Sequence, residues 1–279
     1  MRTIKPMLAK DSQILPGTDY YWERKFDGIR IIAFVSGKEV YLQARSGTNK
    51  TDTFPELRIE TTRPAILDGE VISSLGTFSA IQRRVNRVYD IDLAAKYMPT
   101  QYCIFDVLEI DGKNMEDEPL KFRKEALSEI LVPTDNAQLV EFTSDAPTLW
   151  NTAMENHWEG IMGKPIDSVY TQGKRRWIKT KIFQEGEFLA VGYTEGTGKR
   201  LSSFGALILT KGDKYVGQVG TGFDDYEIDL LMKDMKVCES PFLVNPCKFT
   251  PVLPFLVKVK FLEYTEDGIL RFPAYKERV

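Results

Sequence analysis

The run Glu23-Arg24-Lys25-Phe26-Asp27-Gly28-Ile29-Arg30 sets a primary amine two residues from a carboxylate, with a glycine and an arginine close behind. That combination suits a nucleophilic amine held against a phosphate. A protonated lysine is a poor nucleophile, and it gains reactivity where nearby cations or a metal ion depress its pKa. Gly28 leaves room for the backbone to come close to a ligand. Four further clusters carry groups of the same kind. Asp68-Gly69-Glu70-Val71 puts a carboxylate pair at the mouth of a predicted strand, and Cys103-Ile104-Phe105-Asp106-Val107-Leu108 is an apolar strand with one aromatic and one acid. Glu159-Gly160-Ile161-Met162-Gly163-Lys164 sets small residues beside charges. Trp177-Ile178-Lys179-Thr180-Lys181 brings Trp177, Lys179 and Lys181 to one face by the two-residue period of a strand. Two amines on one face repel unless something anionic lies between them. Taken singly, each cluster has an ordinary account: a solvated turn for Asp68 and Glu70, plain core for Phe105, a charged strand edge for the two lysines.

The chain that must position these groups has 279 residues, 43% hydrophobic and 28% charged. That length is generous for one core and comfortable for two domains, and the composition excludes wholesale disorder. A net charge of -3 announces no global basic field, so a nucleic-acid partner requires positive charge gathered on one face. The opening MRTIKPMLAKDSQILPG lacks the apolar core of a signal peptide, and no run is long enough to span a bilayer. Cys103, Cys238 and Cys247 are few, odd in number and far apart, which points to a reducing, cytoplasmic compartment; the last two are not at a zinc-ligand spacing.

Residues 20–45 read as strands around the turn Ser36-Gly37-Lys38. Helices are predicted over 78–88, over 121–131 with Phe122, Ala126, Leu127 and Ile130 on one face, and from a Ser144 cap to 157. His157, the lone histidine, reads as a helix-end residue rather than a catalytic base. After Lys181 short strands alternate with glycine turns, followed by a helix over 226–235, a proline-rich loop over 241–254 and a final strand over 255–265. Several short strands in that stretch fit a small closed barrel. The predicted fold is α+β, with mixed antiparallel sheets in residues 1–185 and an OB-fold β-barrel in 186–279.

In order, the five clusters resemble the covalent nucleotidyltransferase superfamily of ATP-dependent DNA ligases, RNA ligases and capping enzymes. Lys25 to Arg30 matches KxDGxR, Glu159 to Lys164 is similar to EGxMxK, and Trp177 to Lys181 is similar to WxKxK. KPMLA at residues 5–9 and Leu270-Arg271-Phe272-Pro273-Ala274-Tyr275, which looks like LRxPxF, extend the resemblance over nearly the whole chain. It looks closest to compact bacterial, archaeal and phage DNA ligases, including the ligase of bacterial end-joining. The resemblance implies an adenylation domain of ATP-grasp-like type followed by the OB barrel. It also implies a lysyl-AMP formed on Lys25, with Lys179 and Lys181 at the α-phosphate helping to keep that amine deprotonated. Glu23 takes the place of the residue that accepts from the adenine amino group, and Phe105 that of the aromatic stacked on the base. Arg30, Arg45, Glu70 and Lys164 fall at nucleotide-contacting positions. Glu70 and Glu159 are the expected carboxylates for Mg²⁺, with Mn²⁺ as substitute. Arg271 is expected to close over the triphosphate with the barrel, which then swings open; that implies a flexible joint, for which Gln184-Glu185-Gly186 is the candidate.

The implied partners are ATP and nicked duplex DNA, handled by a monomer without a membrane. The chain departs from the ligase pattern at its end, where Lys276 or Arg278 stands near the place of a second cation in a terminus that otherwise reads as frayed. About twenty residues precede Lys25, so no added DNA-binding domain is expected there, and binding to intact duplex is expected to be weak and salt-sensitive. Arg83, Arg84, Arg87, Lys199 and Arg200 are candidate phosphate contacts. RNA ligase and capping guanylyltransferase are the neighbouring alternatives, and a non-catalytic OB-type nucleic-acid binder is the alternative from a different class.

Overall fold

The computed structural model describes residues 2–13, 15, 17–239 and 248–279. The chain divides into two compact units, Met1–Ile182 and Phe183–Val279, three residues before the expected boundary.

The first unit opens with strands β1 (Leu8–Asp11), β2 (Tyr20–Arg24), β3 (Ile29–Ser36) and β4 (Glu39–Ala44). Next come β5 (Glu60–Thr61), β6 (Ala65–Ser73), β7 (Thr100–Ile110), β8 (Lys113–Asn114), β9 (Leu131–Val132) and β10 (Ala137–Leu139). It closes with β11 (Phe142–Thr143), β12 (Gly160–Pro165) and β13 (Arg175–Lys181). Its helices are α1 (Phe78–Val85), α2 (Ile91–Tyr97), α3 (Leu120–Ile130) and α4 (Ala146–Glu155). One mixed sheet has the order β1-β13-β12-β2-β11, and a second has β10-β7-β6-β3-β4 with β8 beside β7. The run 20–45, legible as strands, is therefore split between two sheets, and the crossing is Lys25 to Gly28.

Period-two alternation builds the layers. On β3, Ile31, Ala33 and Val35 face a core shared with Leu127 and Ile130 of α3, while Ile32 packs between the sheets against Phe105 and Trp177. Trp22, Ile161 and Ile178 on the far face of the first sheet pack on Ala146 and Ala153 of α4. Thr77 caps α1, which ends at Val85, and Asp145 rather than Ser144 caps α4. Met154 of α4 is exposed.

Helix α3 corrects the expected apolar face. Phe122 is 46% exposed, whereas Leu120, Arg123, Lys124, Leu127 and Ile130 are buried. The two cations occupy core positions because each meets a buried carboxylate there.

The second unit holds β14 (Gln184–Glu195), β15 (Phe204–Lys211), β16 (Lys214–Val219), α5 (Asp225–Asp234), β17 (Thr250–Phe261) and β18 (Ala274–Arg278). Its antiparallel sheet has the order β16-β15-β14-β17-β18 around Phe188, Phe204, Leu209 and Val257, with Ile228 and Leu231 of α5 packed on it. A capping box between Asp224 and Glu227 starts α5. The expected joint Gln184-Glu185-Gly186 lies just inside the second unit, where it starts β14, paired with Phe261, Lys260 and Val259. The expected frayed end is strand β18, where Arg278 pairs with Asp234 at 2.8 Å and Lys276 with Glu185 at 3.3 Å. Of the expected proline-rich loop, residues 241–247 lie outside the described residues, as does Cys247, and the rest runs into β17.

Candidate active site

Three neighbouring strands of the first sheet turn alternate residues to a cavity of about 900 Å³. From β2 and its end come Glu23 and Lys25, from β12 Met162 and Lys164, and from β13 Trp177, Lys179 and Lys181. The register sets Met162 beside both Glu23 and Lys179, so residues from three separate segments share one face. Arg30, Glu70 and Phe105 supply the wall from the second sheet, and Arg45, Ser46 and Lys50 the rim after β4. The lining comes wholly from the first unit.

At one end stands the amine cluster. Lys25 and Lys181 share the Glu159 carboxylate, Lys25 on one oxygen and Lys181 at 3.0 Å from the other. Lys179 lies 3.4 Å from Asp11 of β1. The Lys25 amide donates to the Gly160 carbonyl, and the Ile182 amide to the Glu159 carbonyl. Gly160 has φ +150 and a Cβ there would meet the Thr180 carbonyl oxygen at 2.0 Å, so glycine is required for β12 to start where it does. Glu159 thus stands behind the two lysines rather than among the lining residues.

At the other end Glu23 is 2% exposed, with Lys124 of α3 on one oxygen and Lys164 at 2.6 Å on the other. Lys164 Nζ lies 3.9 Å from the centre of the Phe105 ring and 4.3 Å from that of Trp177. Burial pushes its amine down to about 8, against the pull of Glu23. Phe105 meets Trp177 edge-on with centroids 5.9 Å apart. Its strand is fixed from behind by Arg123, which clasps Asp106 at 2.7 and 2.9 Å.

Between the two ends, Asp68 and Glu70 part company. Asp68, at the middle of β6 rather than its mouth, is fully buried and holds Arg30 at 2.5 and 2.7 Å and the Tyr170 hydroxyl at 2.6 Å. Burial opposes the Arg30 charge, yet Asp68 keeps its pKa raised. Arg30 also lies 4.6 Å over the Phe105 ring, so it enters the site already held on two sides. Glu70 lines the cavity, and burial pushes its carboxyl up to about 7, against Arg30 and Lys25 and with help from Asp68 and Glu159. Gly28 lines the cavity, and packing requires it as well: a Cβ would meet the Val71 carbonyl oxygen at 2.3 Å and the Glu70 Cγ at 2.9 Å.

The cavity therefore gathers Glu23, Lys25, Arg30, Arg45, Glu70, Phe105, Lys164, Lys179 and Lys181, as expected from their motifs. Two expectations change, those for Glu159 and Arg84. Of the two carboxylates expected at a metal, Glu70 faces the cavity and fits a hard cation that takes few protein ligands. Glu159 as arranged does not fit, because it stands behind Lys25 and Lys181, outside the lining. Among the described residues no cluster of three metal-ligating side chains occurs. Arg271 belongs to the second unit, where it is paired with Glu263. Arg84 is buried on Glu56 at 2.8 Å, so it is no phosphate contact, whereas Arg83 is exposed. His157 lies just past α4, outside the lining. Lys124, Lys50 and Arg175 were not anticipated. For Lys124 a signal existed: Leu120, Arg123, Lys124 and Leu127 keep the spacing of a helix's buried face.

Residues 6–181 match the family model for the ATP-dependent DNA ligase domain. Over 98% of its length the chain is 28% identical to a DNA ligase of Thermococcus fumicolans, covering 55% of that protein. Over 97% it is 29% identical to the multifunctional non-homologous end joining protein LigD of Mycolicibacterium smegmatis, covering 38% of it. The chain thus spans about half the length, or less, of these curated relatives. The crystal structure of the ligase domain of M. tuberculosis LigD superposes with a TM-score of 0.56 at 25% identity, covering 99% of this chain and 95% of that one. A Lig E DNA ligase structure shares the fold, with a TM-score of 0.69 at 20% identity and 98% coverage of both chains. The matched segment starts just ahead of the strand that pairs with Lys179 and ends at Lys181, enclosing every residue that lines the cavity, and by that match the chain belongs to the family of ATP-dependent DNA ligase domains.

Proposed function

We propose that this chain is an ATP-dependent DNA ligase that seals nicks between a 5′-phosphate and a 3′-hydroxyl in duplex DNA. The observation that carries the reading is the pairing, within one cavity, of a lysine amine ringed by cations with an aromatic and a buried carboxylate suited to a purine. In the first step the Lys25 amine attacks the α-phosphorus of ATP, a nitrogen–phosphorus bond forms, pyrophosphate leaves and the amine gives up a proton. In the second the 5′-phosphate of the nick takes AMP from Lys25, which recovers its amine. In the third the 3′-hydroxyl attacks the activated phosphate and AMP departs. Each is an in-line displacement at phosphorus, governed by positioning and charge.

Lys179 and Lys181 neutralise charge building on the α-phosphate oxygens, Phe105 stacks on adenine and Glu23 accepts from its amino group. Arg45 and Arg30 serve the ribose and phosphates. Glu70 would hold Mg²⁺, or Mn²⁺ in its place, and the ion would offset phosphate charge beside Lys25. The second unit acts as the OB barrel; in support, the Leu270 amide donates to Val216, tying the segment after β17 back to β16. The enzyme works as a monomer in the cytoplasm; among the described residues no helix is long and apolar enough to cross a membrane.

The test is nucleotide charging. With Mg²⁺ and α-labelled ATP, GTP or NAD⁺, the protein should take label from ATP alone, and Lys25→Ala should take none. Label from GTP would move the reading to capping chemistry. Sealing of a nicked duplex but not nicked RNA then separates DNA ligase from RNA ligase.

A further inference from the structure

We infer that Lys124, outside every motif that pointed to the site, positions Glu23 against the base and so sets the preference for a purine carrying a 6-amino group. The inference rests on the ligase reading above.

Lys124 and Glu23 are both buried, with side-chain exposures of 1% and 2%. Lys124 Nζ forms an ion pair with one carboxylate oxygen, and Lys164 hydrogen-bonds the other at 2.6 Å. The two cations differ in place. Lys164 lines the cavity, whereas Lys124 does not reach the lining and lies 5.0 Å over the Phe142 ring behind Glu23. A carboxylate gripped at one oxygen can turn about its own bond; gripped at both, its plane is fixed. The second grip comes from the protein side, and it persists whatever enters the cavity. Helix α3 carries the same device one residue earlier, where Arg123 clasps Asp106 beside Phe105. Two consecutive residues of one helix thus fix the strand of the ring expected under the base and the carboxylate expected at its edge. Lys124 touches no ligand in this arrangement and is a positioning residue.

The purine's own 6-amino group supplies the test. Charging is measured with α-labelled ATP and with α-labelled purine riboside triphosphate, which lacks that group, in the wild type, Lys124→Met and Lys124→Arg. The wild type should favour ATP by about 10- to 100-fold in kcat/KM, the worth of one hydrogen bond to a charged group. Lys124→Met should lose most of that preference through a raised KM for ATP, with kcat falling far less, so that the two nucleotides converge. Lys124→Arg should restore it. An undiminished preference in Lys124→Met would overturn the inference, and so would an equal loss with both nucleotides, which marks a merely structural role. If Lys124→Met does not fold, Glu23→Gln decides, since full preference in that variant also overturns the inference. Absence of any label in the wild type would instead defeat the ligase reading itself.

Discussion

At the Glu23 end of the cavity the charged groups are buried and already matched: one carboxylate between two ammoniums, with aromatic rings against the second. At the Lys25 end the groups are only partly covered, and the one carboxylate that pairs Lys25 and Lys181 stands outside the lining. The first arrangement is shut away from solvent. The second leaves cations facing an open space, which is what a polyphosphate would fill. On the proposed ligase reading, the difference separates selectivity from chemistry: a buried, low-dielectric end would read shape and hydrogen bonding, and the substrate would complete the charges of the other.

The sharpest way to break the comparison is to remove one group from each end. Lys181→Ala should lower the rate constant of lysyl-AMP formation by about 10²- to 10³-fold with a modest change in KM, as for other fixed charges that act mainly on the transition state. Glu23→Gln should do the opposite and act chiefly on KM. Single-turnover charging over a range of ATP concentrations separates the two. If both variants lose rate and affinity in the same proportion, the ends are not distinct.

Ionic strength offers a smaller effect of the same kind. Binding of a non-hydrolysable ATP analogue should weaken several-fold between low and high salt, because the partly exposed amines at the Lys25 end are screened. Adenosine, which presents only the base and sugar, should bind with little salt dependence, since buried pairs are screened far less. Calorimetric titration of both ligands would show it, and parallel salt slopes would count against the division.

How far the sequence revealed each end follows from the same physics. Lys179 and Lys181 lie in a short run whose strand period already puts them on one face, and the cavity gathers both together with Lys25. Glu159 was legible as a member of the site but not as the shared partner of two amines, because that depends on how far β12 lies from the Lys25 turn. Asp68 and Glu70 read as one carboxylate pair, yet the fold sends the first to Arg30 and Tyr170 and leaves the second to the cavity. The split of residues 20–45 into two sheets was not visible either, since each strand has the same alternation and only the crossing at Gly28, pressed on Val71, separates them. Lys124 was missed because a charged residue on a helix is ordinarily solvated, and its burial depends on a carboxylate about a hundred positions away in the chain.

Glu70 gives the smallest effect and tests the open end directly. Its carboxyl rises from an ordinary 4.5 to about 7, chiefly because it is buried. Between those two values the folded chain holds a proton that the unfolded chain releases, so stability falls as pH rises through that window and stays lowered above it. Glu70→Gln has no such titration. In nucleotide- and metal-free protein it should melt a few degrees above the wild type near pH 8, with the gap closing toward roughly pH 5. Thermal melts across that range check the sign, and a gap that widens as pH falls would mean that Glu70 is stabilised as a carboxylate by Arg30 and Lys25. Mg²⁺ should narrow the gap near pH 8 by binding the wild-type carboxylate, an effect that Glu70→Gln cannot show if Glu70 is the metal's protein ligand.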